Sequence, residues 1–221
     1  MAMGGGEFAS VRRRSALAAS LLCLAAALVW PLPQAATVSV AAHMLQVLAL
    51  LDLAPCLLAI ALGPRRFPWP CGAAALAHAA VLWGWHAPAA LRATALDAPL
   101  RTAMLATLLA AGAAFWLAVP RPGHEAPGLA WTFIAMLHGG LLGALVTFAP
   151  ADLYGGVCSA NAWLTPAEDQ QVAGMIMWVG GGAVSMAAGL VLTARLLVPA
   201  MGPATIGEVQ PASRDPTSPG Q

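Results

Sequence analysis

The sequence predicts an all-α fold, a polytopic transmembrane bundle of about six helices, and three observations carry that expectation. Apolar residues make up 60% of the 221 positions while Asp, Glu, Lys and Arg together make up 9%, far below the roughly one quarter charged in an ordinary soluble domain. Runs almost free of charge recur at the length of roughly 20 residues that a helix needs to cross a hydrocarbon core. No segment alternates apolar and polar residues as a barrel strand would, so helices remain the way to satisfy backbone polar groups inside lipid.

In chain order, spans are expected at 15–31, 38–62, 72–91, 101–119, 129–149 and 172–198. Residues 1–14 form an N-terminal cytoplasmic segment, 15–198 a single transmembrane domain and 199–221 a disordered cytoplasmic tail rich in Pro and Ser. Prolines punctuate the connections: Pro31 and Pro33, then Pro64 to Pro70, then Pro120 to Pro127, as expected of residues that stop helices. The first span also reads as a secretory or twin-arginine signal, with Arg12, Arg13 and Arg14 before an apolar stretch. Cleavage there would leave five spans; the long apolar run and Pro31 with Pro33 favour a retained helix. The connection 150–171 is the long one and carries Asp152, Tyr154, Trp163, Glu168 and Asp169, the composition of an interfacial cap.

Arginine distribution gives an orientation. Arg12 to Arg14, Arg65, Arg66, Arg121 and Arg195 fall on one side of a six-helix chain, and only Arg92 and Arg101 on the other, with the acidic long loop. The positive-inside rule then assigns both termini to the cytoplasm and the long loop to the far, periplasmic side. The net charge of +1 and the absence of Lys set nucleic-acid binding aside, and the Ala, Gly and Pro enrichment with Arg alone as strong base hints at a bacterial genome. Cys23, Cys56, Cys71 and Cys158 show no knuckle or disulfide spacing and are expected as unpaired thiols.

Ionisable groups deep in a bilayer cost roughly 2.5–3.5 kcal/mol on insertion scales, so each needs a partner or a function. At about 1.5 Å per residue, His43 and His86 come out at similar depth toward the periplasmic side, on neighbouring helices. Met175 and Met177 begin the last span near that level, with Asp169 and Gln170 just above. Imidazole, thioether and carboxylate so grouped suit copper, the thioether favouring Cu(I); the same residues also serve as interhelical hydrogen bonds and gap-filling methionines. Asp52 and His78 match in depth slightly to the cytoplasmic side, as a structural pair or a proton relay. His138, before Gly139 and Gly140, reads as a hydrogen bond across a close helix contact, and His124 stands in a loop. The triplet Gly180 to Gly182 reads as close helix packing and not as a phosphate loop. No Ser-His-Asp order, H-E-x-x-H or pair of catalytic carboxylates occurs, so no enzyme activity is expected.

Three stretches carry a resemblance. "AHMLQVLALLDLAPCLLAIALGP" runs from Ala42 to Pro64, "WGWHAPAAL" from Trp83 to Leu91 with Phe115 and Trp116 following, and "LTPAEDQQVAGMIMWVGGG" from Leu164 to Gly182. With "LLGALVTFAPADLYG" they make the chain, from about residue 40 to 198, resemble the membrane-integral CtaG family of cytochrome c oxidase assembly factors. The resemblance implies a multi-pass protein of the bacterial inner membrane, with its N-terminus cytoplasmic, that helps mature a haem–copper oxidase through its copper centres. Oxidase subunits or other assembly factors are the implied partners, besides the lipid bilayer. Carried over by position, the implied functional residues are His43, Gln46, His86, Asp169, Gln170, Met175 and Trp178. The metal candidates are His43, His86, Met175 and Asp169, with Asp52 and His78 as further functional candidates and copper as cofactor. Two departures stand out: Val47 occupies the position of a second family histidine one turn after His43, and the start of the fourth span, "LRTAML", lacks another. An electron-carrying subunit with a haem between His43 and His86 is the alternative, and a small transporter is disfavoured by the lack of repeated halves.

Overall fold

The computed structural model describes residues 5–63, 68–120, 123–155 and 163–200, all of it helix and connecting turn. Of the expected tail at 199–221 the first two residues end the last helix and 201–221 lie outside the described residues, as do Cys158, Arg65, Arg66 and Arg121. The helices are α1 (Gly5–Leu28), α2 (Leu32–Ala35), α3 (Val40–Leu48), α4 (Ala54–Leu62), α5 (Cys71–His86), α6 (Pro88–Leu96), α7 (Ala98–Ala118), α8 (Glu125–Thr147), α9 (Pro166–Met175) and α10 (Gly182–Ala200). Two π-helical turns, Ala49–Leu53 and Ile176–Gly181, weld α3 to α4 and α9 to α10, so each pair is one continuous rod. Among the described residues, five stretches are long and apolar enough to cross a membrane: Glu7–Ala35, Val40–Leu62, Ala98–Ala118, Glu125–Thr147 and Pro166–Leu197.

The boundaries differ from expectation in three places. α1 begins at Gly5, so the expected N-terminal segment is largely a continuation of the first helix, with Arg12 to Arg14 exposed on it. The third expected span stops at His86, because the residue before a proline is driven out of the helical region: Ala87 sits at φ −57°, ψ 131°, and Pro88 opens α6. α5 is thus a 16-residue rod, roughly 24 Å long, packed between α7 and α8. The last span starts at Pro166 and not at 172, which shortens the long connection. Its start is fixed by a capping box, Thr165 accepting from the Glu168 N–H while Glu168 accepts from Thr165 N–H at 2.9 Å, with Pro166 at the first helical position.

α1 packs along α4, the π turn at Ala49–Leu53 packs on α7, and α8 lies against both halves of the last rod. Backbone meets backbone where glycines allow it. A Cβ on Gly112 would collide with the Leu51 carbonyl, and one on Gly143 would stand 2.7 Å from the Trp178 nitrogen. The close contacts expected of Gly180 to Gly182 are realised only at Gly180, where a Cβ would lie 2.6 Å from Leu48 Cδ2; Gly182 faces open space. At one end of the bundle Arg13 lies against Gly63. At the other, Arg101 donates to Pro33 O at 3.0 Å and Arg92 borders Gly155, so the arginine-poor end and the long connection coincide.

Candidate functional site

Two polar clusters sit inside the bundle. The first lies toward the arginine-poor end, where α3 and α5 bring His43 and His86 together with ring centroids 6.4 Å apart, both side chains buried. His86 Nδ1 is 2.6 Å from Leu82 O. A carbonyl oxygen only accepts, so Nδ1 carries the proton and Nε2 keeps its lone pair. That Nε2 faces Met44 Sδ at 3.2 Å, and a thioether has no proton to give. Beside them His43 Nε2 is buried without a hydrogen-bond partner. His86 Nε2 and the Met44 thioether therefore meet in the buried interior with no proton between them, and His43 Nε2 is buried and unpartnered on the neighbouring ring, where unpaired polar groups are costly.

Asp169 is not part of this group. It is fully buried at the entrance of α3, its carboxylate accepting from the Ser39 hydroxyl at 2.7 Å, from Val40 N at 2.6 Å and from Ala41 N at 3.3 Å. A helix N-terminus presents free N–H groups and the positive end of its dipole, which is what a carboxylate satisfies. With three donors on it, Asp169 is an anchor between the last rod and α3 and not a ligand. Met175 is likewise displaced from expectation: it stands 46% exposed on the outer face of α9, and the sulfur at the histidines belongs to Met44. Among the described residues no three His, Cys, Asp or Glu side chains gather as a metal site, so a metal at His43 and His86 would draw on Met44.

Gln46 donates to Ala27 O at 2.6 Å while its Oε1 is buried without a partner, tying α1 to α3 one turn below His43. Gln170 accepts from Leu153 N at 2.8 Å and donates to Ala151 O at 3.2 Å, fastening the long connection to α9. Tyr154 is buried there with its hydroxyl unpartnered, and burial pushes its phenol up to about 12. Trp178 is partly exposed, packed near Gly140 and edge-on to Phe148 at 6.2 Å; it takes no part in either cluster. Val47 is buried and lines a cavity of about 30 Å³ that Leu82 and Met177 also line.

The second cluster lies at the far end of that cavity. Asp52, in the first π turn, accepts from the Trp116 indole N–H at 3.2 Å and pairs with His78 Nε2 at 3.4 Å, both through Oδ1. His78 stacks on Phe115 at 4.9 Å and faces His138 at 5.7 Å. The expected Asp52–His78 pair is thus present. His138 does not bond a neighbouring helix as expected: neither of its ring nitrogens has a partner. Cys23 and Cys56 are free thiols.

Sequence reading missed Met44, although it lies next to His43, because a buried Met is ordinarily read as packing. It also missed Ser39 and Trp116 as polar partners. Ser39 was legible as a helix cap, since Ser before an apolar run is a start signal; no local signal pairs Trp116 with Asp52, 64 positions earlier.

A sequence model of the cytochrome c oxidase caa3 assembly factors matches residues 64–198. That stretch holds His78, His86, Trp116, His138, Asp169 and Gln170, while His43, Met44, Gln46 and Asp52 precede it. No curated protein and no solved structure matches the chain. With more than half of its length matched, over the helices that carry one histidine of the first cluster and two of the second, the chain belongs to the family of cytochrome c oxidase caa3 assembly factors.

Proposed function

We propose that this chain assists the maturation of an oxidase copper centre from the periplasmic side of the inner membrane, holding a single Cu(I) ion at His43, His86 and Met44. One observation carries the reading: His86 Nε2 and Met44 Sδ face each other at 3.2 Å with no proton between them, and a soft cation held by both relieves the two opposed lone pairs. Imidazole and thioether together form a soft donor set, which suits Cu(I) better than hard cations. The bound ion would supply the group the oxidase lacks, and the chain's residues would present it near one end of the bundle. That end carries Arg92 and Arg101 only, together with the long connection, which by the arginine bias is the periplasmic one. Oxidase subunits or companion assembly factors would take the ion from there.

The electron-carrier reading needs an open slot at His86 Nε2 for a porphyrin. Met44 Sδ fills that direction, so the geometry favours a small soft cation.

The test is an anaerobic Cu(I) titration of the purified chain, with His43→Ala, His86→Ala and Met44→Leu beside the unchanged protein. One ion per chain is expected, lost in both histidine variants and weakened about tenfold or more in Met44→Leu, the equivalent of roughly 1.4 kcal/mol. In cells, each histidine variant should lower oxidase activity at an unchanged amount of this chain in the membrane. Copper binding that survives both histidine substitutions would sink the assignment, and a Soret band in the purified protein would revive the haem reading.

A further inference from the structure

The second cluster is chemically different from the first, and nothing in the copper reading requires it. Its four parts come from four segments of the bundle: Asp52 from the first π turn, His78 from α5, Trp116 from α7 and His138 from α8. Two donors meet a single carboxylate oxygen, since both the Trp116 indole and His78 Nε2 reach Asp52 Oδ1. With Asp52 ionised, His78 Nε2 carries the proton of that contact, and any further proton on the imidazole sits at Nδ1. That nitrogen is buried without a partner, as are both nitrogens of His138.

Charge balance then limits the states. With His78 Nδ1 bare and Asp52 ionised, the interior would hold an uncompensated negative charge, which a low-dielectric site penalises heavily. One further proton makes the group neutral overall, on His78 Nδ1 as an ion pair or on Asp52 Oδ2 as a neutral pair. We propose that Asp52 and His78, with His138 as the adjoining acceptor, form a proton-exchange site inside the bundle, holding one shared proton in the resting chain.

A small cavity borders it. Asp52 and Ser185 line a space of about 30 Å³ together with Val47, Leu51, Gly139 and Met177, enough for about two waters at ~10–15 Å³ each. Both π turns border it, through Leu51 and Asp52 on one side and Met177 and Gly181 on the other. Such turns widen a helix and recur at functional positions. Here they flank a small, mostly apolar space into which Asp52 and Ser185 bring polar groups. The titratable groups facing the cluster, among the described residues, are Asp52 and Cys56 from the α3–α4 rod, His78 from α5 and His138 from α8; α7 contributes Phe115 and Trp116, and α10 contributes Ser185. Cys56 stands one turn beyond Asp52 and is a thiol, so it adds no charge to the balance at neutral pH. On α1, Cys23 points to Ala49 O at 3.9 Å, away from the pair.

The experiment counts protons on the metal-free full chain in lipid nanodiscs. It runs over about pH 4 to 9, a range that brackets the carboxylate and imidazole values. The unchanged chain should release about one proton more than Asp52→Asn. His78→Phe should lose that same proton, and the double variant no more than either single one, because a shared proton is removed once. Trp116→Phe serves as the control that keeps both seats. Without the indole donor both seats for the proton remain, so the proton count stays at one. Titration curves that coincide for the unchanged chain and Asp52→Asn would overturn the proposal, as would losses that add to two in the double variant.

Discussion

Removing the Asp169 carboxylate should loosen the whole bundle without touching the proposed Cu(I) site. Asp169→Ala deletes three acceptor contacts at the start of α3, from Ser39 Oγ, Val40 N and Ala41 N. A lost cap costs about 1 kcal/mol, and a buried hydrogen bond to a charged acceptor contributes about 1.5–3 kcal/mol. The dipole interaction at a helix N-terminus adds some tenths more. The substitution should therefore cost about 3 kcal/mol, which for a chain of this size corresponds to a fall of roughly 6–12 °C in Tm. Asp169→Asn should lose about half as much, since one oxygen still accepts while the amide N–H₂ turns a donor toward the backbone N–H groups. The assay is thermal unfolding in detergent, paired with limited proteolysis at the start of α3 and a Cu(I) titration of the Asn variant. The reasoning predicts reduced stability with undiminished copper stoichiometry. An Asn variant as stable as the unchanged chain that no longer binds copper would refute it and return Asp169 to the ligand set.

Gly143→Ala should destabilise the contact between α8 and the last rod by about 1–3 kcal/mol, because the added Cβ would stand 2.7 Å from the Trp178 nitrogen and 2.8 Å from Gly174 O; detergent melting curves would show it, and an unchanged curve would mean the rods can part freely. Tyr154 predicts an alkaline weakness. Its phenol is raised from 10.0 to about 12 when folded, so folded and unfolded chains bind the same proton below pH 10 and the unfolded chain releases it first above that. Stability should fall as pH rises from 10 and level off past about 12, by roughly 3 kcal/mol in total, and Tyr154→Phe should remove that part of the slope. Val47→His should place a third imidazole one turn from His43 at the edge of the cavity and tighten Cu(I) about tenfold or more, equivalent to roughly 1.4 kcal/mol; unchanged affinity would mean the side chain turns away from the pair.

The helices were legible because their cause is local. Charge-free runs of spanning length, prolines between them and the arginine bias are all read within a few residues, and the rods at Val40–Leu62, Ala98–Ala118 and Glu125–Thr147 fall where those signals put them. The misplaced boundaries have local causes too, but ones that composition averages away. Pro88 ends α5 at His86 through the conformation of Ala87, and Thr165 with Glu168 starts α9 six residues ahead of the hydrophobic run. The π turns left no signal of this kind. Ala49–Leu53 and Ile176–Gly181 read as ordinary helix in sequence, and each turn sits at a close contact with a distant segment, Leu51 against Gly112 and Gly180 against Leu48, which no local pattern announces.

Depth along a helix could be counted, whereas rotation about it could not, and this difference decides which site residues were found. Counting residues put His43 level with His86, and Asp52 level with His78; both pairs meet. The same counting put Asp169 and Met175 near the histidines, and there it misled, because residues at one depth still point in different directions. Asp169 turns inward to the start of α3, where free N–H groups outcompete any other use of a carboxylate. Met175 turns outward on the same helix. Met44 follows His43 directly, at an angle of about 100° around the helix, and long side chains on a helix can close that gap, which is how its sulfur reaches His86 Nε2. The proposed Cu(I) site, drawn from adjacent residues on one helix and a single histidine on another, needs no carboxylate, and Asp169 and Asp52 are engaged elsewhere, the one on a helix end and the other on a histidine and a tryptophan.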